Sequence, residues 1–271
     1  MMKTHNDIFE AARAGNLQQV DAFLRSGADP TAVNDYGFTA LQCAAMGTNS
    51  VEEAQITPVI QRLIGAGSQL EQPSKDGRTA LYLAAEFSPF LTPVRLLVEA
   101  GSKADIYHSD SGGPHIVINA MAPEVQQYLS ALTSFPIPEP KPEIPSVKMT
   151  AARWKEAQRR IEDVFISLRE SGIIALHDAG YTQDDGFSDC CELYAEQGGE
   201  KAKLNGFCFY TRQDLNRAKR TSQLALAFWG APEGADKDME HVGRQIVETF
   251  RQAGLTVYWN GSASARPILY L

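Results

Sequence analysis

Asp35-Tyr36-Gly37-Phe38-Thr39-Ala40-Leu41 and Asp76-Gly77-Arg78-Thr79-Ala80-Leu81 have the same pattern. Each carries an acidic residue and a glycine suited to a tight turn, then a threonine, then small and apolar residues. A threonine there can cap a helix by accepting one of its free N–H groups. Working outward, three segments align: Ala11-Ala12 with Leu24 and Gly27-Ala28-Asp29; Ala44-Ala45 with Leu63 and Gly67-Ser68; Ala84-Ala85 with Leu97 and Gly101-Ser102. The Gly27 to Gly67 step is 40 residues and the Gly67 to Gly101 step is 34. The alanine pairs are small enough for neighbouring helices to approach closely. Leu24, Leu63, Leu96 and Leu97 mark the inner stripe of each second helix. Gly27, Gly67 and Gly101 are placed to end that helix in a left-handed conformation.

These motifs resemble the ankyrin repeat, whose period is about 33 residues. The resemblance covers roughly residues 5–132 and implies about four helix pairs stacked into a solenoid. The family's Thr-Pro-Leu-His reads Thr39-Ala40-Leu41-Gln42 and Thr79-Ala80-Leu81-Tyr82 here. The middle repeat is longer by about seven residues between Gly47 and Pro58, which predicts a longer turn or an extended second helix. A degenerate fourth unit, Gly112 to Leu132, is expected to cap the stack. Such arrays bind other proteins on a concave face of loop tips and first helices. The resemblance therefore implies a partner-binding set of Asn34, Asp35, Tyr36, Phe38, Lys75, Asp76, Arg78, Phe87 and Tyr107. Tyr82 and Phe90 add aromatic area nearby; for Tyr82 and Phe87 packing between repeats is an equal alternative.

Charge bears on the kind of partner. The 271 residues hold 25 basic and 33 acidic side chains, net −8. Residues 1–133 hold 8 basic and 14 acidic side chains, so the first half carries −6 of that total. This balance argues against a nucleic-acid partner. No apolar run is long enough for a membrane span or a secretory signal. Four cysteines in so long a chain do not suggest a disulfide framework. The expected setting is the cytoplasm, with no cofactor and no metal.

Five of the 14 prolines fall between Ser134 and Ser146, at Pro136, Pro138, Pro140, Pro142 and Pro145. Alternating proline enforces extended backbone, which predicts a semi-rigid spacer. The expected division is a repeat domain over 1–133, a proline-rich linker over 134–147 and an α/β domain over 148–271. In the last, apolar periodicity predicts a long helix over 148–171. Strands are expected at Ile173–Leu176, Phe207–Tyr210, Leu224–Trp229, Thr256–Trp259 and Pro267–Leu271, with helices at 185–197, 212–220 and 236–253. Together they predict a mixed sheet covered by helices. Asn260-Gly261 is expected to turn a hairpin between the last two strands. The segments 177–186, 206–215, 226–230 and 254–261 resemble an uncharacterised bacterial domain family of unknown function, which implies a boundary and no activity.

Asp184, Asp185, Gln213, Asp214, Trp259 and Arg266, with His177 and Asp178, form a possible C-terminal pocket. The alternative is that Asp185 and Asp214 serve the first turns of helices. Cys190 and Cys191 are adjacent, point apart on a helix and suit packing better than metal binding. Arg153, Lys155, Arg159 and Arg160, interleaved with Glu156, Glu162 and Asp163, read as a solvated helix face. The ankyrin resemblance implies a protein–protein interaction protein without enzymatic activity. Foremost is a bacterial immunity or inhibitor protein that neutralises a basic toxin or effector; a regulatory scaffold and an enzyme acting through the C-terminal domain are the alternatives.

Overall fold

The computed structural model describes residues 7–48, 50–109 and 112–271. Residues 5–6 of the expected repeat region and Asn49 of the insertion lie outside them. The chain forms two compact units, Met1–Ile137 and Pro138–Leu271. Each has its own hydrophobic core.

The first unit is built from helix pairs: α1 (Ile8–Arg13) with α2 (Leu17–Arg25), α3 (Ala40–Met46) with α4 (Glu53–Gly65), α5 (Ala80–Phe87) with α6 (Leu91–Glu99), and α7 (Ile116–Asn119) with α8 (Pro123–Thr133). First helices pack on first helices and second on second, giving a two-layered solenoid. Ala11, Ala12, Ala44, Ala45, Ala84 and Ala85 are buried between the first helices. Leu63 and Leu97 are buried as expected, whereas Leu24 and Leu96 are half-buried and Val20 takes the inner position of α2.

Local chemistry sets the helix ends. Thr39 accepts from the Gln42 N–H at 3.1 Å while Gln42 accepts from the Thr39 N–H at 2.8 Å, a reciprocal cap. Thr79 caps α5 through the Tyr82 N–H. Gly27, Gly67 and Gly101 adopt φ of 94°, 92° and 106°. The following N–H in each case returns to Phe23, Leu63 or Leu97, closing the last turn. The insertion lengthens both parts: α3 ends at Met46 and α4 begins at Glu53, and α4 has 13 residues against 9 in α2 and α6. A short antiparallel hairpin, β1 (Tyr107–Ser109) and β2 (Gly112–His115), precedes the last helix pair.

One helical position joins the second repeat to the third and the third to the fourth. Gln42 Nε2 donates to the carbonyls of Gln72 (2.7 Å) and Arg78 (3.2 Å), at the base of the following loop. Tyr82, in the equivalent place, donates its hydroxyl to Pro114 O at 2.9 Å. Tyr82 is 1% exposed, so of its two expected roles the structure selects packing between repeats.

In the second unit, α9 (Ala151–Glu170) leads into β3 (Ile173–Leu176), α10 (Gln183–Glu196), β4 (Gly206–Phe209), α11 (Arg212–Thr221), β5 (Gln223–Ala225), β6 (Ala227–Gly230), α12 (Asp236–Gln252), β7 (Thr256–Tyr258) and β8 (Ile268–Tyr270). Two small sheets form, β3-β4-β6 with β3 parallel to β4, and the antiparallel β5-β8-β7. The single strand expected at Leu224–Trp229 is instead divided at Leu226, whose N–H bonds Pro267 O, and its halves enter different sheets. The Asn260-Gly261 turn also needs correction. β7 and β8 are antiparallel neighbours, but residues 259–267 form a loop held by Trp259 Nε1 donating to Ser262 O and Ala265 O. α12 starts at N-cap Ala235, with Asp236 and Asp238 inside its first turn where they oppose the helix dipole.

The proline-rich segment is bonded to the second unit at several points. Glu139 makes a bidentate ion pair with Arg251 at 3.2 and 2.6 Å, and the Val147 and Met149 N–H groups bond Thr221 O and Lys219 O.

Because Gln42 ties two part-buried carbonyls to α3, Gln42→Ala removes those bonds and also takes away the acceptor of the buried Thr39 N–H, while Arg78 O keeps Ser74 as a donor. The expected cost is about 2–3 kcal/mol in the urea unfolding of the first unit. A cost below about 0.5 kcal/mol, the usual scatter of surface substitutions, contradicts this role.

Candidate functional site: a protein-recognition surface

The first loop tip is assembled around Asn34. Its Oδ1 accepts from the N–H groups of Tyr36 and Phe38, both at 3.0 Å, and its backbone N–H bonds Phe38 O at 2.9 Å. Gly37 has φ of 83°, and a Cβ there would lie 2.5 Å from Cγ of Lys75. That space lets Lys75 cross and donate to Asp35 O at 2.7 Å. The tip presents Tyr36, which is 76% exposed, beside exposed Asp35 and Val33. Phe38 turns inward and packs on the core.

Ser74 replaces Asn34 in the second tip. Its hydroxyl accepts from the Arg78 N–H at 3.1 Å and lies 2.5 Å from Asp76 Oδ1. Arg78 pairs with Asp76 and, at 2.6 Å, with Glu86; its guanidinium lies 5.7 Å from the Phe87 ring centroid. Arg78 is therefore a brace for the tip, and Phe87 remains 42% exposed at the end of α5. Gly77 admits Ser109 of the hairpin, which would clash with a Cβ at 2.3 Å. Tyr107, half-buried in β1, stacks edge-on with His115 at 5.2 Å. The nine residues divide into exposed Asp35, Tyr36, Lys75, Asp76 and Phe87, and a half-buried group of Asn34, Phe38, Arg78 and Tyr107.

In the second unit Asp214 and Arg266 come together at 2.7 Å, while Asp184, Asp185 and Gln213 are exposed and Trp259 is buried against Phe228. Asp185 and Asp214 occupy the same local structure. Each is the third residue of a helix and accepts from the capping threonine's N–H, Thr182 at 2.8 Å and Thr211 at 3.1 Å. Burial pushes the Asp214 carboxyl up, but the Arg266 guanidinium and the Thr211 bonds outweigh it and hold the group below the usual carboxylate range.

A chain that the sequence left in pieces lies at the carboxyl ends of β3 and β4. His177 Nδ1 is 2.8 Å from Tyr210 Oη, His177 Nε2 is 2.6 Å from Glu162, and Glu162 pairs with Arg169 at 2.6 Å. It borders a groove of about 600 Å³ along α9. His177 and Tyr210 each end a parallel strand, the signal that marks them in sequence; Glu162 is masked by the charged run on α9. That run is not wholly a solvated face. Arg159 pairs with Glu156, but Arg153 and Arg160 bond backbone carbonyls of Leu271 and Gly254. Cys190 is buried, its thiol pushed up to about 12 by loss of solvent, whereas the adjacent Cys191 is exposed.

Residues 8–110 match the model for ankyrin repeats (three copies), and residues 146–268 match a domain of unknown function, DUF6891. The chain thus carries ankyrin repeats followed by a domain of unassigned role. It is also similar to the ankyrin repeat domain-containing protein SAT10 of Stachybotrys chartarum. The two are 32% identical over 125 residues, spanning 46% of this chain and 6% of that protein. Ankyrin repeats point to protein–protein interaction. Among the described residues no helix is long and apolar enough to cross a membrane.

The Asp214–Arg266 pair gives a pH-dependent prediction. A carboxyl with a depressed folded-state pKa contributes stability above its unfolded value of about 3.9, and that contribution is lost as pH falls through the folded value. Arg266→Met is expected to cost the second unit about 2–3 kcal/mol at pH 7. Its stability should fall less steeply than that of the wild type below about pH 5 in acid titration followed by circular dichroism, because loss of the guanidinium moves the folded carboxyl back up toward its unfolded value. An unchanged acid profile contradicts the coupling.

Proposed function

We propose that this protein acts by binding a basic protein partner through the loop tips of its repeat half, as an inhibitor or immunity protein that neutralises a cognate toxin or effector in the bacterial cytoplasm. The observation that carries the reading is Tyr36, a large aromatic 76% exposed on a tip whose backbone is fixed by Asn34 and Lys75. An aromatic held in place before binding loses little freedom in the complex, the usual condition for a dominant anchor. Exposed Asp35 adjoins it in the chain, and the net −6 of residues 1–133 favours approach of a basic surface.

An immunity protein is expected to have its toxin's gene beside its own. The product of that gene should bind in the nanomolar range, and co-expression should protect cells from it. Tyr36→Ala should weaken binding roughly 30-fold, equivalent to about 2 kcal/mol, and added salt should slow association. Absence of protection removes the inhibitor reading. Protection with unchanged affinity in Tyr36→Ala removes the loop tips as the binding surface.

A further inference from the structure

The β5-β8-β7 sheet has two unlike faces. Leu224, Val257 and Leu269 are register partners and enter the core beneath α9, α11 and α12. Side chains alternate along a strand, so Gln223, Thr256, Tyr258, Ile268 and Tyr270 belong to the opposite face. Tyr270 on that face is only 8% exposed, and its hydroxyl is buried without a hydrogen-bond partner among the described residues. Something covers it.

The proline-rich segment is fastened on both sides of this row. At one side Glu139 grips Arg251, whose guanidinium also reaches Val257 O of β7 at 3.5 Å. At the other, Gln223 Nε2 of β5 donates to Ile144 O and Ser146 Oγ, both at 3.4 Å. Gln223 and Thr256 are the two register partners of Tyr270, and paired residues share a face. The path from Glu139 to Ser146 therefore crosses the sheet over Tyr270. Within that path Pro142 is half-buried while its neighbours Lys141 and Glu143 are exposed.

We propose that the outer face of β5-β8-β7 is a binding surface for an extended proline-rich peptide, occupied in this chain by its own segment Glu139–Ser146. Two tyrosines supply the aromatic floor that such peptides favour, and Arg251 and Gln223 supply polar clamps at its ends. A peptide of the same chemistry from another chain gains access when the resident segment lifts.

The test uses the full chain and a fluorescein-labelled peptide with the sequence of residues 137–148, followed by anisotropy. Glu139→Ala combined with Pro140→Gly, Pro142→Gly and Pro145→Gly loosens the resident segment without touching the sheet. Apparent affinity scales with the open fraction, so the loosened chain should bind the peptide at least about tenfold tighter than wild type. Adding Tyr258→Ala should reverse about tenfold of that gain. Equal binding by wild type and loosened chain, or no binding by a folded loosened chain, overturns the proposal. Should the loosened chain fail to fold, cleavage by a glutamate-specific protease at Glu143–Ile144 gives the second reading. Arg251→Ala should be cut about tenfold faster than wild type, because cleavage requires local release of the segment; equal rates overturn the proposal.

Discussion

The repeat half depends on hydrogen bonds that cross from one repeat to the next. An isolated helix pair cannot bury its apolar face, and the loop following it has too few contacts of its own to hold a shape. Gln42 meets both needs. It closes the cap of α3 at one end and binds the Gln72 and Arg78 carbonyls of the next loop at the other. Tyr82 repeats the connection to Pro114 with a hydroxyl in place of an amide. The same position thus sets repeat spacing and loop shape together, so the binding tips follow directly from the packing of the first helices.

Ordering of the tips is the link between fold and function. Lys75 bonds Asp35 O from the second tip to the first, and Ser109 of the hairpin fills the space left by Gly77. Each tip is therefore supported from its neighbour. Residues that look alike in sequence divide into supports and displays: Asn34, Arg78 and Phe38 spend their polar or apolar atoms on the protein itself, and Tyr36 and Phe87 face solvent.

The solenoid was legible because its signals are local and repeated. Thr39, Thr79 and the three closing glycines each work within a few residues of themselves. Within the candidate surface, exposure of Tyr36 could be anticipated from a loop position, but the role of Arg78 could not, since Asp76 and Glu86 pair with it across a turn. Long-range placement hid more in the second unit. The break at Leu226 depends on a bond to Pro267, and the pairing of Asp214 with Arg266 joins segments that no periodicity relates. Alternating prolines mark the segment as non-helical; what they could not reveal was that Arg251 and Gln223 bond it to the second unit.

Rigidity of the tips before any partner arrives is the central claim, and backbone 15N relaxation measures it directly. Order parameters for Asn34–Phe38 and Ser74–Arg78 should match the helices, at about 0.85, in the free protein. Values below about 0.6 at these residues would show mobile loops and contradict a surface built in advance for recognition.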